Sequence, residues 1–423
     1  MRSSRRMEPQ DPMATVRGLA GFAERGAGSD AERRAANWLA AHCSAAGREV
    51  EIETFWCRPN WALAHLWHVG LAVAGSLIAL LSPIAGIALL ALALVSVTAD
   101  AISGISLGRR LTPERASQNV VALAAGETSA PGGRTRLILT ANYEAGRIGL
   151  AYRLRSATAR LTQAIHGLTP GWLGWLCIAI LWLLAVAILR EEGHRSHLIG
   201  AIQLLPTVGL LLVFALLIEL GTASWSPAAG DNGTGVAAVL ELAGALAAAP
   251  PHHLQVEVVL TGAGDAEQIG LRRYLRARRR PRERFRPARR RTADTLVLGL
   301  AASSGGTPHW WQSDGAFLPL RYGAVLRRMA AQIAQDEAHL RAQPHRHRGN
   351  SAALPARAAG LPALTIGCLG ADGLPPRSHR RTDIAEAIDP QAIDRTVQFA
   401  LLLIDRIDAE LGARQRREAA TPA

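Results

Sequence analysis

Apolar and polar positions along this chain follow two periods, broken by three long runs without charge. "SDAERRAANWLAAHCSAAG" carries its apolar residues at helical spacing, with Ser29 placed to cap it and Gly47 to close it. "REVEIETFW" alternates like a strand. "QNVVALAAG", "RLILTANYE", "LQVEVVLTGAG", "DTLVLGLAAS" and "PALTIGCLG" read as apolar strands, and "DPQAIDRTVQFALLLIDRIDAEL" as a long terminal helix. This alternation predicts an α/β domain, a three-layer αβα sandwich with a mostly parallel mixed sheet. Functional groups are then expected where strand ends meet loops.

The uncharged runs are of another kind. Pro59 to Ala99 holds no Asp, Glu, Arg or Lys, and neither does Leu161–Leu189 or Ser196–Ile218. A bilayer core takes about 20 residues per helix. The first run therefore has length for two passes with a turn at Ser82–Pro83, and the other two are separated by the short charged turn "REEGHR". Four transmembrane helices in two hairpins interrupt the α/β domain. The expected layout is 1–58 (N-terminal part of the domain), 59–102 (hairpin 1), 103–160 (domain), 161–220 (hairpin 2), 221–413 (domain) and 414–423 (tail). No ionisable Asp, Glu, Arg or Lys is expected inside the passes, which argues against an ion path. His65 and His68 read as interfacial polar groups beside Trp61 and Trp67.

Arginine placement bears on sidedness. The soluble-side flanks hold Arg58, Arg109, Arg110, Arg115, Arg147, Arg153, Arg155 and Arg160, against Arg190 and Arg195 at the opposite turns. This asymmetry puts the soluble domain in the cytoplasm. The N-terminus has a basic flank but no apolar core, so no cleaved export signal is expected.

Composition changes the picture little. The net charge is +13 and every basic residue is arginine, with no lysine, which reads as coding bias. Aromatic residues are sparse, at 5%, so nucleic acid is not an expected partner. Twelve of the twenty residues from Arg272 to Arg291 are arginine, including Arg272, Arg273, Arg278, Arg279, Arg280, Arg289, Arg290 and Arg291. Such a run reads as a solvated insertion, and beside a membrane it also faces anionic lipid, worth about 1 kcal/mol per well-placed basic residue. Cys43, Cys57, Cys177 and Cys368 show no metal-ligand spacing.

The chemistry starts at "AAGDNGTGVAAVLELA" (228–243). Taken alone, Asp231 and Asn232 read first as caps of the following helix. Other strand-end loops alter that reading: "TANYEAG" (140–146), "TGAGDAEQIGLRRYL" (261–275), "LAASSGG" (300–306), "SAALPARAAGLPALTIG" (351–367) and "SHRRTDIAEAID" (378–389). The series resembles the co-catalytic di-zinc aminopeptidases, metallopeptidase family twenty-eight. Their motifs run HxD, D-N-x-x-G-V, G-A-E-E-x-G-x-x-G, N-L-D, S-D-H-x-P-F-x-x-A-G-I-P-A and H-x-x-x-D-x-x-E-x-I-D. The resemblance implies a zinc-exopeptidase-like fold and gives Asp231 the metal-bridging role, with Asn232 shaping the loop.

The same matching implies losses. The first histidine ligand is Asn142 and its partner aspartate is Glu144. The paired glutamates, base then ligand, fall on Gly264 and Asp265, and a later aspartate ligand on Ala301. Asp231, Asp265 and His379 remain for one metal, while the other has lost two ligands. Asp265 is one methylene shorter than Glu, a displacement of roughly 1 Å against distances that hold within about 0.2 Å. Glu144 and Glu267 are weak substitutes for the base, and His345 and His347 for lost ligands. The expectation is one zinc ion, or none if the site is fully degenerate. Function is expected as a catalytically impaired, membrane-embedded binding or scaffolding module taking a peptide or protein amino terminus. The alternative is a single-metal hydrolase with a rebuilt site.

Overall fold

The computed structural model describes residues 11–124, 134–154, 170–265, 267–278 and 295–420. Nine strands form one sheet in the order β1-β2-β4-β3-β5-β9-β6-β7, with β8 paired to β6. They are β1 (Arg48–Cys57), β2 (Arg115–Ala124), β3 (Thr135–Asn142), β4 (Leu254–Thr261), β5 (Thr295–Leu300), β6 (Thr307–Asp314), β7 (Leu320–Arg321), β8 (Gln343–Arg346) and β9 (Ala363–Leu369). The centre, β4-β3-β5-β9, is parallel, and β1, β2, β6 and β7 pair antiparallel outside it. Every residue of β4 and β9 is buried, as a strand covered on both faces must be. β1 keeps an exposed row, in keeping with its edge position.

Helices α1 (Pro12–Ala20), α2 (Asp30–Ala45), α8 (Thr234–Ala248) and α12 (Pro390–Ala420) share the main hydrophobic core with the sheet. As expected, Ser29 caps α2, its hydroxyl accepting from the Glu32 amide at 3.0 Å. The predicted strand set was incomplete. It lacked β6, β7 and β8, because "TPHWWQSD" mixes indoles with polar residues and "QPHR" is a polar edge segment containing proline.

Among the described residues, four helices are long and apolar enough to cross a membrane: α3 (Trp61–Ile78), α4 (Pro83–Ser103), α6 (Trp172–Glu191) and α7 (His197–Thr222). Pro83 opens α4 at the predicted turn. The start of the expected second hairpin, residues 161–169, lies outside the described residues, as do residues 155–160 before it. The helices share a second apolar cluster of their own. Their outer faces leave large side chains uncovered, Leu205 being 74% exposed. Polar groups stitch the bundle inside: Arg190 donates to Gln203 Oε1 at 2.7 Å, Gln203 to the Ser76 carbonyl at 2.6 Å, and Ser76 meets Thr207 at 2.7 Å.

Two expectations for these helices are corrected. α4 runs past Ala99 and takes in Asp100, fully buried, so one pass does carry an interior carboxylate. His65 and His68 are not interfacial. Both are fully buried, with their Nδ1 atoms 3.1 Å apart.

Candidate metal centre

The loops after β3, β4 and β9 converge at the carboxyl edge of the parallel strands, together with the loop that enters α8. That is where an open α/β sheet leaves a crevice. Three of these loops, all but the one after β3, hold backbone conformations that few residues adopt. Ala228, Asn232, Ala263 and His379 all have positive φ, at 50°, 70°, 50° and 56°. Such residues persist only where surroundings over-determine them.

Arg25 supplies part of that constraint. Its buried guanidinium donates to the carbonyls of Leu19, Tyr143, Pro227 and Ala228, tying the loop after β3 to the loop before Asp231. Burial pulls its pKa down to about 10, against the opposing pull of Glu144. Asp383 supplies the rest. Its carboxylate accepts from the amides of Gly230 at 2.7 Å and Asp231 at 2.9 Å. Burial and the neighbouring Asp231 push it up to about 7. No local signal in the sequence marks Arg25 for this role, whereas Asp383 lies within the last motif.

Asp231 is not a helix cap. α8 begins after Gly233 without a side-chain cap bond. The Asp231 carboxylate instead accepts from Ser378 Oγ at 2.8 Å and lies 3.4 Å from His379 Nε2. Asp265 Oδ1 is 4.0 Å from the same nitrogen. The His379 Nδ1 donates to the Arg147 carbonyl at 2.9 Å, which leaves the Nε2 lone pair aimed at both carboxylates. The ring is held flat against Tyr152, centroids 3.7 Å apart and 2° from parallel. A Cβ on Gly146 would come within 2.4 Å of it, so only glycine allows this approach. His379 Nε2 thus faces both Asp231 and Asp265, two oxygens and one nitrogen of the types that hold a divalent ion, though the three donor atoms do not all lie within 4.8 Å of one another. Burial raises the Asp265 carboxyl, with His379 opposing.

The surrounding positions do not complete a second site. Asn142 Oδ1 accepts from Thr261 Oγ1 at 2.9 Å, and Asn232 Nδ2 donates to the Glu144 carbonyl at 2.7 Å. Ala301 sits at the end of β5 with its amide on Ile366. Gly264 lies against the Asn142 amide, where any Cβ would meet Cγ at 2.1 Å. Glu144 is fully buried, its Oε1 accepting from the Asp265 amide at 2.5 Å. Burial and Glu32 push it up to about 8.

Glu267 is directed elsewhere, to Arg109 at 2.5 Å and His65 at 3.3 Å. The third motif also fits in a register that puts its glutamate pair on Glu267 and Gln268. The structure separates the two registers, because Asp265 faces His379 and Glu267 does not. His347 donates to Asp314 at 2.8 Å, and Ser351 bonds the same aspartate, so neither replaces a lost ligand. Of the arginine run, Arg272 donates to the Glu267 carbonyl and Arg273 to the Trp56 carbonyl. Arg278 pairs with Glu53 and covers the Tyr274 ring. Those three are engaged by protein; Arg279, Arg280, Arg289, Arg290 and Arg291 lie outside the described residues.

Among the described residues a different trio, His65, Asp100 and Glu267, brings its donor atoms within 4.8 Å of one another. Arg109 already holds both of its carboxylates, chelating Asp100 through two 2.8 Å bonds. This cluster is an ion-pair network.

Residues 218–404 match the family model of peptidase family M28. The fold is aminopeptidase-like. The chain is similar to BSAP, a zinc aminopeptidase from Bacillus subtilis, at 11% identity and a TM-score of 0.53, covering 95% of this chain and 96% of that one. It is also similar to glutaminyl cyclases from Porphyromonas gingivalis and Tannerella forsythia, each at 12% identity and a TM-score of 0.51, covering 94% of this chain and 98% of those. At such identities the likeness is one of fold. A sequence search of curated proteins returns no match.

Proposed function

We propose that this M28-like chain is an integral membrane protein that no longer hydrolyses peptides. Its cleft keeps one zinc ion and binds a peptide or protein amino terminus. The observation that carries this reading is the contact between Gly264 and Asn142. The position of the family's general base has no side chain, and the amide next to it fills the space one would need. Glu144, the other nearby carboxylate, is buried and bound to the Asp265 amide, so it is not free to take a proton from water.

A zinc ion held by Asp231, Asp265 and His379 supplies Lewis acidity toward a carbonyl or amine ligand. The chain's own contribution is the cleft beside it, lined by Trp61, Arg147, Tyr152, Leu220, Trp225 and Asp265. Asp265 offers a carboxylate to an ammonium group, and the aromatic rings offer a wall for the first side chain. Trp61 and Leu220 belong to candidate spans, so the mouth of the cleft stands beside the membrane helices. The uncovered apolar faces of those helices support bilayer embedding. The arginine asymmetry supports a cytoplasmic soluble domain.

The test is a panel of aminoacyl p-nitroanilides and a free-amine peptide, each with an N-acetylated control, on detergent-purified protein supplied with zinc. Saturable binding of the free-amine peptide, lost on acetylation, with no turnover above the His379→Ala background, is the expected result. Turnover that disappears in His379→Ala favours the single-metal hydrolase instead.

A further inference from the structure

We propose that the first membrane hairpin positions the loop carrying Asp265, and that Arg109 and Glu267 are the residues through which it does so. Only the consequence for metal binding depends on the single-zinc reading.

The loop after β4 is poorly supported by its own backbone. Ala263, Glu267 and Gln268 all have positive φ, at 50°, 68° and 61°. Its internal bonds are Gln268 N to Gly264 O at 2.8 Å and Ile269 N to Ala263 O at 3.0 Å. Side chains with β-carbons do not keep such conformations unless something outside holds them.

Glu32 holds the Ala263 amide and Glu144 the Asp265 amide, and at Glu267 the holder is a buried network shared by α3, α4 and the short helix α5 (Leu107–Arg110). Arg109 donates to Glu267 Oε2 at 2.5 Å, to both oxygens of Asp100 at 2.8 Å, and to the Arg58 carbonyl at 3.1 Å. His65 Nε2 reaches Glu267 Oε1 at 3.3 Å and Asp100 Oδ2 at 3.5 Å. Ser96, His68, His65 and the Glu267 carboxylate form one continuous hydrogen-bonded chain, at 3.0, 3.1 and 3.3 Å. Gly108 lets α5 come close enough to aim Arg109, since a Cβ there would meet the Ala64 carbonyl at 2.2 Å.

A second contact lies beside the first. Trp61, the opening residue of α3, lines the same cleft as Asp265. The hairpin thus meets the loop beside Asp265 and grips it two residues later at Glu267. An unpaired charge left in so buried a network is costly, so the two partners act as one unit.

Hydrogen exchange of the full chain in detergent tests this with Glu267→Gln, Arg109→Met and the double variant. Ser76→Ala serves as a control that loosens the helix bundle away from the loop. At least tenfold faster exchange at the Gln268 and Ile269 amides is expected in each single variant, with β3 and β4 unchanged and the double variant no faster than Arg109→Met. Should Arg109→Met fail to fold, Glu267→Gln alone decides. Unchanged loop exchange, or equal acceleration in β4 or in Ser76→Ala, overturns the proposal. Cobalt titration gives a spectroscopic readout: the visible band of a bound Co2+ ion should shift in Glu267→Gln. Faster loop exchange with no cobalt bound by the wild type would sink the single-metal reading and leave the positioning role standing.

Discussion

The amide of Asn142 occupies the space that a side chain at position 264 would need, its Cγ only 2.1 Å from an ideal Cβ there. Under the proposed reading, the absence of a side chain at 264 and of a histidine at 142 is one packing solution. Gly264→Glu alone should not create a base. It should lower the stability of the chain by about 1–3 kcal/mol, the usual cost of overpacking. Adding Asn142→Gly should recover most of that in thermal unfolding of the detergent-purified protein. No recovery would show that the two positions are not coupled.

Gly146 permits the His379 ring to sit where it does. Gly146→Ala should displace the ring and weaken zinc binding by about tenfold or more, as expected when a ligand's orientation is disturbed. Competition with a zinc-binding dye reads the change. Unaltered affinity with an intact fold would mean that His379 is not a ligand.

Arg25 holds four carbonyls, that of Leu19 in α1 and those of Tyr143, Pro227 and Ala228 in the loops. Arg25→Met should destabilise the chain by about 3 kcal/mol or more, because hydrogen bonds from a charged donor are worth about 1.5–3 kcal/mol each. Arg25→Lys should rescue little, since an ammonium cannot span the same four acceptors. Full rescue by lysine would contradict the geometry.

Glu32 offers a pH test away from the metal candidates. It accepts from Gly28, Ser117 and Ala263, yet burial pushes its pKa up to about 7 from 4.5. The folded chain keeps a proton that the unfolded chain releases near pH 4.5. This contribution to stability is complete below that pH and is lost as pH rises through 7. Glu32→Gln lacks it, so the Tm advantage of wild type over the variant should shrink between pH 5 and pH 8. A constant difference would contradict the shift.

Sidedness is open to labelling, because all four cysteines are buried. A cysteine at exposed His194, in the turn of the second hairpin, should react with an impermeant maleimide in intact cells. One at exposed Arg33, on α2, should react only after permeabilisation. The reverse pattern would place the domain outside.

Much of the fold was legible because the central strands are unbroken apolar segments and the spans are uncharged over lengths no ordinary core helix needs. Asp231 and His379 stood out through motif spacing, whereas the choice of Asp265 over Glu267 needed the structure, which turns Asp265 toward His379 and Glu267 toward Arg109. What escaped was long-range. His65 and His68 look interfacial beside Trp61 and Trp67, and only the fold brings Glu267 from 202 residues away to meet them. Glu267 itself reads as a spare base until Arg109 is seen to claim it. Strand β8, polar and broken by Pro344, has a strand's form only because β6 lies beside it.

The zinc content of the purified full chain, measured by elemental analysis after zinc is supplied and the excess removed, bears most directly on the centre. One zinc per chain, absent in His379→Ala, is the expected result. Two per chain would mean that the lost ligands are replaced, and none would mean that the three donors no longer hold an ion.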